Sequence, residues 1–180
     1  MNKYISLAIS FGAIGVMTMI VKEIMENNRL RKKQIAKYIV SQHKTLPHST
    51  LVQYTLDKQH LNNTIDVKNN ENSGITHVTI KPDILLTSLD ERVLYSSLSD
   101  EQRVVHDAYE EWFSLYDTFW LYVKDRDVDE EYIKNELLPW INLSSTTTIK
   151  DDINIIEYSK RRNYHGLSNL YHRWCAKQAF

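Results

Sequence analysis

The sequence predicts an all-α protein: an N-terminal transmembrane helix followed by an antiparallel helical bundle, with a small β-hairpin inserted between them. Three observations lead to this fold class. A long run near the N-terminus carries no charge, apolar residues recur at steps of three and four along 104–123, and short connections separate the later helical segments. The predicted organisation is an N-terminal tail (1–3), a transmembrane helix (4–21), a basic juxtamembrane helix (22–45), a polar and partly flexible linker (46–82), and a helical domain (83–178).

The uncharged run at 4–21 reads YISLAISFGAIGVMTMIV. At about 1.5 Å of rise per residue, such a helix crosses most of a hydrocarbon core roughly 30 Å thick. A cleaved signal peptide is disfavoured, because no small-x-small cleavage site precedes the charges that follow. A buried helix of a soluble protein stays open as an alternative, since serines and glycines dilute the hydrophobicity. Small residues spaced four apart, such as Ser6 and Ser10, would also let two such helices approach closely.

The distribution of positive charge predicts the orientation of this span. One lysine, Lys3, precedes the run, and six basic residues follow it by position 37. Because positive charge is retained on the cytoplasmic side, we expect the N-terminus outside and the domain cytoplasmic, at the inner (cytoplasmic) membrane. The lone Cys175 agrees with a reducing compartment. The residues predicted to bind the membrane surface, at about 1 kcal/mol each, are Arg29, Arg31, Lys32 and Lys33.

The linker region shows weaker patterns than the segments on either side of it. The first helix is expected to continue through 29–40 and to end at Pro47, with a short helix directly after it. The Asn-rich stretch 62–74 is too polar to bury a core, so it predicts a mobile loop. Residues 64–67 and 75–80 have strand-like patterns that can pair as a small hairpin.

The strongest helical signal lies in the domain that begins at residue 83. Apolar residues keep one face through a first segment, 84–98, and Ser99 and Gln102 then have the spacing of a capping box. The helix that follows, 104–123, has the clearest amphipathic pattern of the chain. We therefore expect this helix to be the centre of the bundle.

Three further helices are predicted after this one. Asp127 and Glu130 repeat the capping-box spacing and begin a helix that Pro139 is expected to stop. A loop is expected at 144–148, and the next helix is expected to begin at Asp151 or Asp152 and to end near Gly166. Ser168 is the predicted cap of the last helix.

The formal net charge of −1 conceals strong segregation of charge along the chain. Residues 83–136 contain 5 basic and 15 acidic side chains, whereas residues 158–180 contain 5 basic and no acidic ones. We interpret the two segments as partners within one domain. The alternative, a basic tail that binds nucleic acid, lacks any recognisable nucleic-acid fold. Nucleic acid is therefore not an expected partner. The predicted partners are the lipid bilayer, a membrane or cytoplasmic protein, and a second copy of the chain.

The motifs that usually hold cofactors and metals are missing from the sequence. There is no Gly-rich phosphate loop, no Cys-x-x-Cys and no His-Glu-x-x-His, and no two of the seven histidines are three or four residues apart. His106 is interpreted as a surface or interhelical hydrogen-bonding residue. The acidic stretch 125–131 lacks the glycine and the ligand spacing of an EF-hand. We predict no cofactor and no metal, and no catalytic role for Cys175.

An aromatic stripe marks the central helix and has two interpretations. Aromatic side chains at helical spacing usually form core, since they contribute the most area to burial. The alternative is a groove that binds a partner. Its candidate residues are Tyr109, Trp112, Tyr116 and Trp120.

The segment RRNYH at 161–165 is the most enzyme-like cluster of the chain. An arginine and a histidine near a helix end resemble the metal-independent RNases of the helical HEPN class, in which such residues act on the scissile phosphate. The pair here is closer together than that class requires. The resemblance implies an alternative function, a membrane-tethered nuclease or toxin-like effector of the phage-defence or exclusion type, with Arg162 and His165 as its catalytic residues.

The stretch from LSDEQRVVHDAYEEW to ELLPWI, with Arg161 and Arg162 and the later Tyr171 to Trp174, resembles an uncharacterised group of bacterial membrane-anchored proteins. The resemblance covers the span and about residues 83–178. It implies one N-terminal span and a cytoplasmic helical domain. The group has no established activity, so the resemblance implies none for this chain. Together with the missing catalytic motifs, it favours a membrane-tethered binding or scaffold module over an enzyme, with the nuclease as the alternative.

Overall fold

The computed structural model describes residues 2–57, 64–68, 75–81, 83–150 and 153–175, with side chains from residue 19 onward except those of 68, 75, 76 and 150. Most of these residues are helical, and the helices pack into a bundle, as the sequence predicts. The Asn-rich stretch at 62–74, predicted to be mobile, lies largely outside the described residues.

The first helix, α1 (Asn2–Thr45), is continuous from the predicted span into the folded body. Side chains from residue 19 to residue 31 are exposed, whereas Ala36, Ile39 and Val40 are buried. The helix ends just before Pro47, as predicted, and Pro47 is the first residue of α2 (Pro47–Leu56). Of the part of α1 whose side chains are described, the last turns therefore belong to the core.

The apolar run at 4–21 is helical along its whole length. Among the residues whose side chains are described, no helix is both long enough and apolar enough to cross a membrane. The predicted single-pass transmembrane helix is therefore not supported by the structure. Most of it, residues 4–18, lies outside the described side chains, so the span stays a prediction from the sequence.

The small β-hairpin is confirmed. Strand β1 (Thr64–Lys68) pairs antiparallel with β2 (Ile75–Thr79). Val78 is fully buried, and β2 lies against the central helix of the bundle. The Thr79 N–H donates to the carboxylate of Glu101 in that helix, which fixes the edge of the hairpin on the body.

The helix expected over 84–98 is mostly absent, which corrects the prediction. Only α3 (Ile84–Ser88) forms, and an irregular segment with a single 3-10 turn at Tyr95–Ser97 replaces the rest. The Asp90 carboxylate accepts hydrogen bonds from the backbone N–H and the guanidinium of Arg92. Short polar side chains that bind nearby backbone in this way compete with helix formation. The irregular segment becomes one wall of a cavity.

The central helix, α4 (Asp100–Lys124), is confirmed together with its cap. Ser99 Oγ accepts from the Gln102 N–H at 3.2 Å, and Gln102 Oε1 accepts from the Ser99 N–H at 2.9 Å, so the capping box is complete. Helices α2 and α3 and strand β2 pack around α4, as does the last helix of the chain. One amphipathic pattern therefore organises the whole bundle.

The next helix, α5 (Glu130–Thr146), differs from its prediction at both ends. Its N-cap is Asp129, which accepts from a first-turn N–H, in place of Asp127. Pro139 does not stop the helix but lies inside it. Ile141, two residues further along, is fully buried. Burial of the final turns in the core offsets the hydrogen bond that proline removes.

The C-terminal part contains two short strands and two helices, and its predicted boundaries shift. The loop expected at 144–148 is largely helical, and the helix expected at 151–152 begins later, capped by Asn154, whose side chain accepts from the Glu157 N–H at 2.9 Å. Ser168 does not cap the last helix but is buried within it. The elements are β3 (Thr148–Lys150), β4 (Ile153–Asn154), α6 (Ile155–Arg161) and α7 (Gly166–Trp174).

Candidate functional site

The aromatic stripe of α4 forms the centre of the core. Tyr109, Trp112 and Tyr116 are each 0% exposed, and the rings of Trp112 and Tyr116 have centroids 4.4 Å apart. Trp120 is half-buried at the edge. A partner cannot reach the three buried rings without unfolding the bundle. Burial therefore favours the core interpretation of the stripe over the partner groove.

A buried histidine joins α1 to this core. His43 Nε2 lies 3.0 Å from the Tyr116 hydroxyl, and Gln53 Nε2 lies 3.4 Å from His43 Nδ1. Burial lowers the pKa of His43 to about 4; the nearby Lys44 charge acts in the same direction, and Glu136 opposes it. The imidazole is thus neutral at pH 7 and satisfied on both nitrogens. It fixes the end of α1 on α4.

The four basic residues predicted to bind the membrane surface lie where α1 leaves the body. Arg29, Arg31 and Lys33 are exposed, and Lys32 is half-buried. The Lys32 carbonyl accepts from the Asp129 N–H at 3.4 Å, which is the most N-terminal of the backbone contacts described between α1 and the bundle. The cluster is accessible to an anionic surface.

Arg162 and His165 lie in the connection between α6 and α7, and the structure gives them separate partners. Arg162 Nε donates to Glu110 at 2.8 Å, and this carboxylate raises the pKa of the guanidinium. The His165 side chain is exposed, and its backbone N–H donates to Asp117 at 2.9 Å. Among the described contacts, the two side chains share none. Their catalytic role stays a prediction from the sequence.

The acidic and basic segments pair internally, as the sequence analysis favoured. In addition to the Arg162–Glu110 pair, Arg173 forms a two-pronged ion pair with Glu130, and the Trp174 indole N–H donates to the same carboxylate at 2.9 Å. The Arg173 guanidinium lowers the pKa of Glu130, and the partial burial of the Glu130 carboxylate opposes this shift. The basic C-terminal segment thus ties α7 to α4 and α5.

A polar cavity of about 290 Å³ lies between the irregular segment 89–98 and helices α4 and α6. Side chains from four parts of the chain meet in it, because α3, α4 and α6 converge at this end of the bundle. Its polar lining includes Ser88, Asp90, Glu91, Tyr95, His106, Tyr158 and Arg162. A smaller cavity of about 170 Å³ shares part of this wall and reaches Arg161.

One wall of the larger cavity is held by a three-residue network. His106 Nδ1 lies 3.2 Å from one carboxylate oxygen of Asp107, and the Tyr95 hydroxyl donates to the other at 2.7 Å. The rings of Tyr95 and His106 meet edge to face with centroids 5.3 Å apart. Because Nδ1 lies against a carboxylate, which only accepts, this nitrogen is the donor of the hydrogen bond.

Tyr158 and Ser88 also line the cavity. Burial raises the pKa of Tyr158 to about 12; the Arg162 charge opposes the shift, and Glu110 and Glu91 add to it. The phenol is therefore protonated at neutral pH and can donate or accept. Ser88 is 2% exposed, and its Oγ is buried without a hydrogen-bond partner among the described residues. A buried hydroxyl left unsatisfied is unusual and calls for an explanation.

The sequence analysis did not find this site. It interpreted His106 as a surface or interhelical hydrogen-bonding residue, whereas the described hydrogen bond of the ring is to Asp107, its neighbour in α4. It did not connect this residue with Ser88 or Tyr158. These residues lie far apart in the chain, on three different helices. Their types show no motif spacing, so only the packing of the helices brings them together.

Neither metal binding nor thiol chemistry finds support in the described part of the chain. No group of three or more His, Cys, Asp or Glu side chains there is placed to hold a metal ion. The Cys175 thiol donates to Asn142 at 3.4 Å, and burial raises its pKa. A reactive cysteine requires the opposite shift.

Comparisons with known proteins give no relative: no protein-family model, no curated protein and no solved structure matches the chain. The resemblance to bacterial membrane-anchored proteins therefore stays a prediction. A functional proposal has to come from the geometry of the molecule.

Proposed function

We propose that the protein is a membrane-tethered helical binding module that acts through protein–protein association at the cytoplasmic face of the inner membrane. One observation carries the proposal. Helix α1 runs without interruption from the apolar N-terminal run into the core, and its residues 19–31 project from the body. A helix of this kind suits a rigid connection between an anchor and a domain.

The attachment of α1 to the body supports a rigid connection. Ile39 and Val40 are buried, His43 contacts Tyr116, and Lys44 pairs with Glu136 at 2.7 Å. Several contacts over the last three turns therefore fix the direction of α1. Residues 22–34 then extend about 20 Å at the rise of an α-helix.

The exposed side chains at the beginning of the described part support an anchor in lipid. Met19 is 74% exposed, and Ile20, Val21 and Ile24 are each more than half exposed. A cluster of large apolar side chains in water is costly and marks a surface that something else covers. It continues the uncharged run and is followed by the basic cluster, which is the order of residues at a membrane boundary.

Tethering provides the mechanism. Confinement to the membrane plane raises the effective concentration of the domain toward any partner held at the same surface, without a new contact. The partner is a membrane protein, a cytoplasmic protein recruited there, or a second copy of this chain. The proposal requires no cofactor.

The first test is extraction of membranes that contain the full-length chain with alkaline carbonate. Retention of the chain in the pellet supports the anchor, whereas release into the supernatant overturns the proposal. A pull-down in mild detergent, with light scattering and mass spectrometry, then identifies the partner. A stoichiometric protein or a defined homo-oligomer is expected. A monomer that carries only nucleic acid would overturn the binding module in favour of the nuclease alternative.

The rigid connection has its own test. Asn28 is exposed on α1, so Asn28→Pro should kink the helix without touching the core, and Asn28→Ala is the matched control. We expect the proline variant to stay in the membrane and to remain folded while losing most of its partner. Equal partner recovery from the two variants would show that a straight α1 is not required.

A further inference from the structure

We infer that the end of the bundle around the α4–α5 connection lies on the surface of an anionic lipid bilayer and contacts it through Leu121, Tyr122, Lys124 and Arg126. This inference rests on the proposed tether, and it gives the body a contact with the membrane beyond the anchor and its basic cluster. It is based on the direction of α4 relative to α1, the exposure of these side chains, and the backbone conformation of Arg126.

Two contacts of α1 define which end of the bundle faces the anchor. The Lys32 carbonyl accepts from the Asp129 N–H, just beyond the end of α4. Further along α1, His43 contacts Tyr116 in the second half of α4. Helix α4 therefore runs antiparallel to this part of α1. Its C-terminal end and the α4–α5 connection point toward the apolar N-terminal run, and its N-terminal end points away from it.

The part of α1 between the apolar run and the body is short. From Val21, where the uncharged run ends, to Lys32 the rise of the helix is about 16 Å. The headgroup layer of a bilayer accounts for roughly 5–7 Å of this distance. A gap of about 10 Å remains when α1 is perpendicular to the membrane, which is close to the Debye length at physiological salt. The usual tilt of a spanning helix narrows this gap further, so the surface is within reach of the body.

The last turn of α4 exposes apolar side chains at this end of the bundle. Leu121 is 54% exposed and Tyr122 is 36% exposed. Lys124 and Arg126 follow them and are also exposed. Among the ion pairs of the described residues, none includes either cation. Tyrosine rings and the long side chains of lysine and arginine are typical of the membrane–water interface, where each presents an apolar part to lipid and a polar tip to water.

The backbone of Arg126 supplies a separate observation. Its φ is 60°, in the left-handed region, and the Asp127 N–H donates to the Tyr122 carbonyl at 3.0 Å, as in a Schellman motif. Glycine is the usual residue at this position, because it has no Cβ. The other described non-glycine residue with a positive φ is Asn163, and asparagine tolerates this conformation. A long cation where the fold prefers glycine indicates that the side chain has a role outside the fold.

The charges at this end favour anionic lipid over neutral lipid. Asp125 and Asp127 alternate with the two cations, so the stretch 124–127 carries no net charge. The four basic residues of α1, at 29 and 31–33, leave the body at the same end and make the surface positive. Anionic headgroups therefore attract this end of the bundle, whereas neutral headgroups offer it apolar contact alone.

Lipid quenching of a fluorophore tests the contact in the full-length chain. The chain is reconstituted into phosphatidylglycerol vesicles that carry a nitroxide at the headgroup level, and Cys175→Ser removes the native thiol. A label at Leu121→Cys should be quenched. A label at Leu94→Cys is the matched control, because Leu94 is 76% exposed near the opposite end of α4, and it should remain unquenched. In phosphatidylcholine vesicles the quenching of the Leu121 label should fall.

Arg126→Gly separates a membrane contact from a structural role. Glycine adopts the left-handed conformation freely, so the melting temperature should stay the same or rise. The ratio of docked to undocked bodies, measured by quenching of the Leu121 label, should fall about fivefold, which is the effect of one basic residue near an anionic surface. Asn163→Gly, at the other positive-φ position, is the matched control and should leave the quenching unchanged. A merely structural arginine would lose stability and keep the quenching.

Three results would overturn the inference. The first is equal quenching of the labels at Leu121 and Leu94, and the second is equal quenching in Arg126→Gly and Asn163→Gly. The third is a Leu121 label that lipid does not quench but that is shielded from aqueous iodide, which would assign this surface to a protein. Flotation of the same vesicles reports on the tether separately, because a chain that floats with an unquenched Leu121 label keeps the tether and lacks this contact.

Discussion

The two long helices of the protein, α1 with 44 residues and α4 with 25, use their surfaces in opposite ways. Helix α4 buries one face almost completely, including Trp112 and Phe113 at 0% exposure, and keeps its charges on the other. Among its described side chains, those from residue 19 onward, helix α1 leaves Met25 and Leu30 more than half exposed and becomes buried only from Ala36 onward. One helix is at the centre of the bundle, and the described side chains of the other lie mostly outside it.

The difference shows what keeps each helix in place. The apolar side chains of α4 lie on one stripe, so packing in the bundle stabilises the helix. The apolar side chains of α1 at 19–25 are each more than half exposed. A helix exposed in this way requires another environment, which is the physical basis of the proposed anchor.

The largest expected effect concerns the tightest contact of α4. A Cβ on Gly166, the first residue of α7, would overlap backbone atoms of Tyr116 and Asp117. Gly166→Ala should therefore lower the free energy of unfolding by about 4 kcal/mol, at the upper end for overpacking. Urea denaturation of the full-length protein measures this loss. The exposed neighbour His165→Ala is the control, and similar losses in both variants would contradict the close contact.

The second prediction tests the junction between the two helices. The pKa of His43 falls from 6.5 in the unfolded chain to about 4 in the folded one, because the ring is buried. The unfolded chain therefore binds more protons between these values. The free energy of unfolding is therefore unaffected by the titration of His43 above pH 6.5. It falls as the pH is lowered towards 4, by about 3 kcal/mol in total.

Stability measured by denaturation across this pH range checks the prediction. His43→Gln should remove this part of the pH dependence, whereas His172→Gln, at an exposed position on α7, should retain it. An unchanged pH profile in His43→Gln would assign the acid sensitivity to other groups.

The third prediction concerns the connection of α7 to α5. Glu130→Gln removes the charge that Arg173 and the Trp174 indole share, and should cost about 1.5 kcal/mol of unfolding free energy. Glu131→Gln, exposed on the same turn of α5, should change stability by less than about 0.5 kcal/mol. Thermal melts of the two variants provide the comparison, and equal melting temperatures would count against the ion pair.

The smallest expected effect tests where along α1 its packing against the domain begins. Ile24 is 54% exposed and Ile39 is 2% exposed. Ile24→Ala should change the free energy of unfolding of the body by less than about 0.5 kcal/mol, whereas Ile39→Ala should cost about 3 kcal/mol. A large cost at Ile24 in urea denaturation would show that the exposed part of α1 packs on the domain.

Local signals predicted the elements that depend on neighbouring residues. The capping box of Ser99 and Gln102, the periodicity of α4, the end of α1 before Pro47 and the hairpin were all found where the pattern indicated them. The pairing of acidic and basic segments was also anticipated, although the sequence did not indicate which residues pair.

The failures have two causes: burial in the core outweighs local preference at Pro139, and a local side-chain hydrogen bond competes with the helix at Asp90. Pro139 was expected to end a helix that the core continues, and the helix predicted over 84–98 is interrupted where Asp90 binds Arg92. Arg162 and His165 are close in sequence, but the Arg162 side chain donates to Glu110 and the His165 backbone N–H donates to Asp117. Their catalytic role stays a prediction from the sequence.

The sequence by itself determined that the protein is helical, that α4 is its amphipathic centre, and that an uncharged run precedes a basic cluster. Periodicity and charge patterns involve residues close together along the chain, so they can be recognised from the sequence alone. Only the tertiary structure decided that the aromatic stripe is buried, that His43 connects α1 to α4, and that Ser88, His106 and Tyr158 share a cavity. These relations depend on how helices cross in space, and no spacing along the chain records that.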